Sequence, residues 1–294
     1  MGLFIKKPKK SRAIFLYRCH DYNPIIEECY SNFMKNLDIF HNEADGPSSV
    51  ELFIIGDNLH PAMEKRILND HVKQKKYKFA STLIRVNSNE QEECLISGET
   101  CTPKHYTLYI TSVNLCNSLK LKKNDVIFFL EDDYKFKNNA FSLCYHFASK
   151  FNNDFVSPFD HPDRYKKESK EKEDMGRELF LKGKKFAIDY GGMGRNIDLA
   201  KKGYANYKLE LVWEFNHHWR TAISICHSFA CTYNALKKSK PYLYNADMQR
   251  GDHMMWTHIW GKGLSKLWSP VPGLARHIGH WSKTALLDDN SYDE

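Results

Sequence analysis

Asp125-Val126-Ile127-Phe128-Phe129-Leu130-Glu131-Asp132-Asp133-Tyr134 is an apolar run that ends abruptly in three adjacent carboxylates. Five consecutive large apolar residues, with Lys122-Lys123-Asn124-Asp125 before them and acids after them, predict a strand covered on both faces. Ligands of open α/β sheets collect at the carboxyl ends of strands, which is where these acids would lie. In extended chain, residues two apart share a face, so Glu131 and Asp133 are expected to point one way and Asp132 the other. Carboxylate oxygens without thiolates favour a hard ion such as Mg2+ or Mn2+, commonly held by one or two protein carboxylates plus substrate phosphates. The expectation is a metal-diphosphate site. The plainer alternative is an acidic turn that caps the strand with its charges in water.

The flanking sequence repeats the pattern. Ala13 to Arg18 reads as a first strand running into Cys19-His20-Asp21-Tyr22-Asn23-Pro24, and a helix is expected from about Ile25 to Leu37. Glu51 to Asn58 reads as a second strand, followed by a helix at about Ala62 to Asp70. Lys78 to Val86 is expected as a third strand, and Thr107 to Leu119 as the helix leading to the acidic strand. Alternating strand and helix is the signature of a parallel α/β layer. Strands ending in His20-Asp21, Asp57-Asn58 and Glu131-Asp132-Asp133 would line one edge with polar groups suited to a base, a ribose and a metal-bound diphosphate. Beyond Tyr134 a helix at about Ala140 to Lys150 and a strand at Phe155 to Pro158 are expected. The sign-alternating segment Lys166 to Lys185 lacks a core stripe and reads as a surface insertion. Asp189-Tyr190-Gly191-Gly192-Met193-Gly194 looks like a phosphate cradle, but no Lys-Ser/Thr pair follows it, and it reads as a turn.

The 294 residues, 42% hydrophobic and 14% aromatic, suffice for a substantial core. No apolar run approaches the length needed to cross a bilayer, and no signal-peptide core opens the chain, so a cytoplasmic, non-secreted protein is expected. The eight cysteines contain no C-x-x-C pair and read as reduced core thiols; a Cys94–Cys101 disulfide is the alternative, disfavoured in a reducing compartment. A formal net charge of +7 suits an anionic substrate, a membrane surface or nucleic acid. The cluster Lys6-Lys7-Pro8-Lys9-Lys10-Ser11-Arg12 could rest peripherally on anionic lipid or be a solvated leader. Without interleaved aromatic and basic residues, a helix-turn-helix signal or zinc-finger spacing, no nucleic-acid partner is expected.

Downstream lie Asp160-His161-Pro162-Asp163, His218-Trp219-Arg220-Thr221, Arg250-Gly251-Asp252-His253 and Ser269-Pro270-Val271-Pro272-Gly273-Leu274-Ala275-Arg276-His277. With Glu131-Asp132-Asp133-Tyr134, these elements resemble, in order, those of the GT-A glycosyltransferases, in particular a family 2-like bacterial and viral group with this acidic motif. The resemblance spans about half the chain, from Asp125 to Trp281. It implies a GT-A fold, an α/β architecture with a mixed, mostly parallel central sheet flanked by helices. A single domain over residues 1–294 follows, with about 12–134 as the nucleotide-sugar-binding half and about 135–294 as the acceptor-binding and catalytic half.

The resemblance further implies a metal-dependent, inverting glycosyltransferase that uses Mn2+ or Mg2+ and a nucleotide-diphosphate sugar. Its acceptor would be a glycan, lipid-linked or protein hydroxyl. Asp133 and a C-terminal histidine, His277, would hold the metal, with His280 as competitor; the motif departs from the usual D-x-D by beginning with Glu131. Glu131 would face ribose or sugar, with Asp132 available to either. Asp21, Asp57 and Asn58 would meet the nucleotide. Asp252 is the candidate general base, since an inverting transfer needs a carboxylate across the sugar from the leaving diphosphate. It is equally a good N-cap for a helix starting near His253, worth about 1 kcal/mol, and Asp247 or Asp160 could serve as base instead. Arg220 could hold phosphate or make an ion pair, and Trp219 could stack on a sugar or sit in the core. His161 and Asp163 could contact sugar or form a turn. A nucleotidyltransferase on a similar sheet and a non-catalytic glycan-binding protein are the competing readings. The former normally has a Gly-rich basic loop after its first strand, which Arg18 to Asn23 is not.

Overall fold

The acidic strand is buried on both faces, as its unbroken apolar run requires. A computed structural model of the protein describes residues 11–19, 24–72, 79–86, 103–160, 210–222, 225, 228–243 and 251–278. In it Val126–Glu131 forms β4. Val126, Phe128 and Leu130 enter one core, and Ile127 and Phe129 enter another on the opposite face. Phe128 stacks on Phe15 at 4.3 Å between centroids, and Phe129 stacks on Phe229 at 4.7 Å. Ring pairs of this kind add about 0.5–1.5 kcal/mol each beyond the area they bury.

The first half is three βα units leading into β4. β1 (Ala13–Cys19), β2 (Val50–Asp57) and β3 (Ala80–Val86) alternate with α1 (Pro24–His41), α2 (Pro61–Val72) and α3 (Pro103–Ser118). Each helix opens on proline, whose fixed φ and missing N–H suit the first helical position. In α1 the buried residues Ile26, Cys29, Tyr30, Phe33, Met34, Leu37 and Phe40 recur at three- and four-residue steps, the stripe of a helix lying on a sheet. Then follow β5 (Tyr134–Phe136), α4 (Ala140–Lys150), β6 (Phe155–Val156), β7 (Leu211–Glu214), β8 (His217–Thr221) and β9 (Phe229–Thr232). The last elements are α5 (Tyr233–Leu243), α6 (Gly251–Gly261), β10 (Leu267–Val271) and β11 (Ala275–His277).

One nine-stranded sheet runs β3-β2-β1-β4-β9-β6-β10-β8-β7, and β5 and β11 make a separate two-stranded ribbon. β1, β2, β3 and β4 are mutually parallel, and β9 and β8 are the strands that run against the rest. The sheet is therefore mixed and mostly parallel, and helices flank it on both faces, as expected. Residues of α1, α2 and α4 pack on one face, and those of α3, α5 and α6 on the other.

This layering fixes where a ligand can sit. The crossovers through α1 and α2 cover one face while β3 returns through α3 on the other, so neighbouring crossovers diverge between β1 and β4. Such a topological switch point opens a crevice beyond the carboxyl ends of the strands. The acids leave β4 at this point. Among the described residues no helix is long and apolar enough to cross a membrane.

Candidate active site

At the switch point β1 and β4 run in register, with Arg18 beside Glu131. Arg18 is only 3% exposed. Its Nε donates to the Leu130 carbonyl at 3.2 Å, its Nη2 lies 3.8 Å from Glu131 Oε1, and its guanidinium lies 5.7 Å from the centre of the Tyr109 ring. Ser228, immediately before the neighbouring strand β9, takes hold of the same residue. Its Oγ accepts the Glu131 N–H at 3.1 Å and donates to Glu131 Oε2 at 3.3 Å. A buried guanidinium and a hydroxyl thus set the Glu131 carboxylate, which remains partly open to solvent.

The expected alternation of the three acids ends at Glu131. Asp132 and Asp133 form a turn from β4 into β5, so side-chain parity no longer applies to them, and Asp132 is buried. Asp133 instead meets the far end of the chain. β11 pairs antiparallel with β5, His277 opposite Tyr134, and the Ile278 N–H donates to the Asp133 carbonyl at 2.8 Å. This brings His277 Nε2 to 2.9 Å from Asp133 Oδ2. Burial pulls the imidazole pKa down, but the hydrogen bond that His277 donates to Asp133 and the charges of Asp133 and Glu131 outweigh it, and the net shift is upward.

Each side chain of this contact has a second polar atom left over. Asp133 Oδ1 and His277 Nδ1 are buried and have no hydrogen-bond partner among the described residues. Unpaired buried polar atoms are uncommon and call for a reason. The atoms that do face each other, Asp133 Oδ2 and His277 Nε2, are both of ligand type for a divalent cation such as Mn2+. No group of three or more Asp, Glu, His or Cys gathers as a metal cage among the described residues. A two-residue donor set fits an ion that completes its shell with substrate phosphate and water.

The remaining expected residues are scattered. Asp57 closes β2 and is buried, and Asn58 after it takes φ of +46°, a left-handed conformation asparagine tolerates, donating its N–H to the Val86 carbonyl at 3.1 Å. Both stand at the same carboxyl edge as the acids. Asp252 lies in the first turn of α6, which begins at Gly251, rather than before the helix; its side chain is outside the described part. His20, Asp21, Cys94, Cys101, His161, Asp163, Lys166 to Lys185, Asp189 to Gly194, Asp247, His280 and Lys6 to Lys10 all lie outside the described residues.

The Trp-Arg-Thr stretch belongs to the interior. Trp219 is fully buried, donates Nε1 to the Glu214 carbonyl at 3.1 Å and packs 4.3 Å from Phe147, so it is a core aromatic and no sugar platform. Arg220 is 1% exposed and donates Nη2 to Asp160 Oδ1 at 2.7 Å. It sits on β8, four strands from β4 in the sheet order, in a buried ion pair. Asp160, the alternative general base, is thereby engaged.

Sequence reasoning missed Arg18 and Ser228. Arg18 carried a signal, since a charge near the end of an otherwise apolar strand needs a partner on the neighbouring strand. A lone serine ahead of Phe229 carried none.

No protein-family model and no curated protein matches the chain. Among solved structures it is similar to GalNAc-T7 with UDP, GalNAc and Mn2+, at 13% identity and a TM-score of 0.48, over 96% of this chain and 46% of that one. It therefore spans just under half of that protein. It is also similar to mouse xyloside xylosyltransferase 1 in its apo form, at 11% identity and a TM-score of 0.37, over 86% of this chain and 81% of that one. Core-mannan synthase A from Aspergillus fumigatus, in a Mn/GDP form, is similar at 11% identity and a TM-score of 0.35, over 98% of this chain and 81% of that one. At these identities and TM-scores the likeness carries no argument about donor, acceptor or mechanism.

Proposed function

We propose that the chain is a metal-dependent glycosyltransferase of the GT-A type, moving a sugar from a nucleotide-diphosphate donor to a hydroxyl of a glycan, lipid-linked or protein acceptor with inversion. One observation carries this reading. An acidic strand end at the topological switch point meets a histidine delivered by β11, and Asp133 Oδ2 faces His277 Nε2 at 2.9 Å while each side chain keeps a second, buried polar atom without a hydrogen-bond partner among the described residues.

In this reading Asp133 and His277 hold Mn2+ or Mg2+, which would neutralise charge on the departing diphosphate. Glu131, fixed by Arg18 and Ser228, receives a ribose or sugar hydroxyl, and its orientation is set before substrate arrives. Asp57 and Asn58 face the nucleoside at the same edge. Asp252 takes the proton of the acceptor hydroxyl as it attacks the anomeric carbon. The net charge of +7 favours approach of the anionic donor. Residues 1–294 form one domain, placed in the cytoplasm, with the basic N-terminus either a solvated leader or a peripheral contact with anionic lipid.

The test is release of nucleoside diphosphate from a panel of UDP-, GDP-, CDP- and dTDP-sugars with Mn2+. Turnover of one donor, abolished by EDTA, is expected. Binding without turnover of any donor, unaffected by Asp252→Asn, would make the chain a sugar-binding protein instead.

A further inference from the structure

We propose that Asn32 is a positioning residue for the Asp133–His277 pair, an inference that rests on the metal reading of that pair. β5 begins immediately after Asp133, and one of its edges is taken by β11, which ends in His277. A two-stranded ribbon is marginal on its own, and a metal pair needs its ligands held within about half an ångström. The other edge of β5 faces α1, and among the described residues no strand pairs with it.

Asn32 takes the place of that strand. The Phe136 N–H donates to Asn32 Oδ1 at 2.7 Å, and Asn32 Nδ2 donates back to the Phe136 carbonyl at 3.2 Å. These are the two bonds a neighbouring strand would exchange, made here by one side-chain amide. Asn36, one helical turn later and 1% exposed, adds Nδ2 to the same carbonyl at 3.1 Å and to the Asn32 carbonyl at 2.9 Å. Lys135 Nζ on Glu28 at 2.5 Å ties the preceding ribbon residue to the same helix.

Asparagine is a poor helix former, and two of them four residues apart on one side of α1 weaken the helix unless their amides are used. The chemistry admits few substitutes. Aspartate lacks the donor, leucine lacks both groups, and glutamine carries its amide one methylene too far out. The support therefore runs from α1 through Asn32 to β5, and through the β5–β11 ladder to both members of the pair.

The experiment titrates Mn2+ into the full-length wild type, Asn32→Asp, Asn32→Leu and Ile67→Val, reading free Mn2+ by electron paramagnetic resonance well below each melting temperature. Ile67, buried in α2, controls for general destabilisation. His277 ring resonances are recorded in parallel without metal by long-range 1H–15N correlation. Both Asn32 variants should bind Mn2+ about tenfold more weakly, as loss of an outer support typically does, and shift or broaden the His277 signals; Ile67→Val should change neither. Mn2+ affinity within twofold of wild type and unmoved His277 signals in both Asn32 variants would overturn the inference. A wild type that fails to bind Mn2+ would sink the metal reading instead, and the His277 signals alone would then decide whether Asn32 positions that ring.

Discussion

Removing Asp160 tests whether Arg220 is held by the fold or free for substrate. In the ion pair the Arg220 and Asp160 side chains are 2% and 0% exposed, so solvent does not screen them. Breaking a buried pair by deleting one partner typically costs about 3–5 kcal/mol, because the other charge stays desolvated. The pair is joined by an Nη2–Oδ1 bond of 2.7 Å, and because Arg220 keeps further interactions, Asp160→Ala is expected toward the lower figure, about 3 kcal/mol. For a chain of this size that is a melting shift of roughly 6 °C, at about 2 °C per kcal/mol. Urea unfolding should show a lower midpoint with unchanged slope. The double variant Asp160→Leu, Arg220→Met should recover much of the loss, since it leaves no unpaired charge. A loss below about 1 kcal/mol, the range of exposed pairs, would refute the buried-pair reasoning. A drop in nucleotide affinity on Arg220→Met in a still-folded protein would return Arg220 to the phosphate.

Other outcomes follow from the same geometry. Asp125 accepts from Arg12 Nε at 3.0 Å, Arg12 Nη2 at 2.6 Å and the Lys122 N–H at 2.8 Å. Burial raises its pKa, but these bonds and the Arg12 charge outweigh it, so the folded value lies below 3.8. Its stabilisation is then complete above the unfolded value and lost as pH falls through the folded one. Asp125→Asn should cost about 2 kcal/mol at pH 7, with the gap to wild type closing below about pH 4; a gap independent of pH in urea titrations would contradict this. Burial, with the Asp133 carboxylate adding to it at Cys29, pushes the Cys29 and Cys116 thiols up to about 12. Iodoacetamide at pH 8 should leave both unlabelled in the folded protein and label both in urea, and peptide mass spectrometry showing rapid native labelling would be the adverse result. Asp252→Asn should retain donor binding and lose transfer, while full activity would reassign the base.

The parallel half of the sheet was legible because burial on both faces writes itself as unbroken apolar runs. The first strand, expected from Ala13 to Arg18, is Ala13–Cys19, and the helix expected from Ala140 to Lys150 has those bounds. The hairpin of β7 and β8 is not legible as strands where His218 to Thr221 reads as a motif and Leu211–Glu214 carries no assignment. Its signal was the pair Phe215-Asn216 between two alternating stretches, and both residues take positive φ, 55° and 58°, as a tight two-residue hairpin turn requires. β5 and β11, three residues each, are too short to carry periodicity. At the site, the pairing of Asp133 with a C-terminal histidine came from resemblance. Glu131 and Asp133 were expected on one face by strand parity, which fails where the strand turns at Asp132. Arg18, Ser228 and Asn32 act through contacts between segments distant in sequence, which no local pattern encodes.

The most direct measurement is the thermal shift of wild type and Asp133→Ala with UDP, GDP, CDP and dTDP, each with Mn2+ and again with EDTA. A ligand bound only by the folded state stabilises it by about 2.7 kcal/mol at a hundredfold excess over its dissociation constant. The account predicts a shift for one nucleotide in the wild type, lost in EDTA and lost in Asp133→Ala while that variant's own melting stays cooperative. A nucleotide shift that survives both EDTA and the substitution would contradict it.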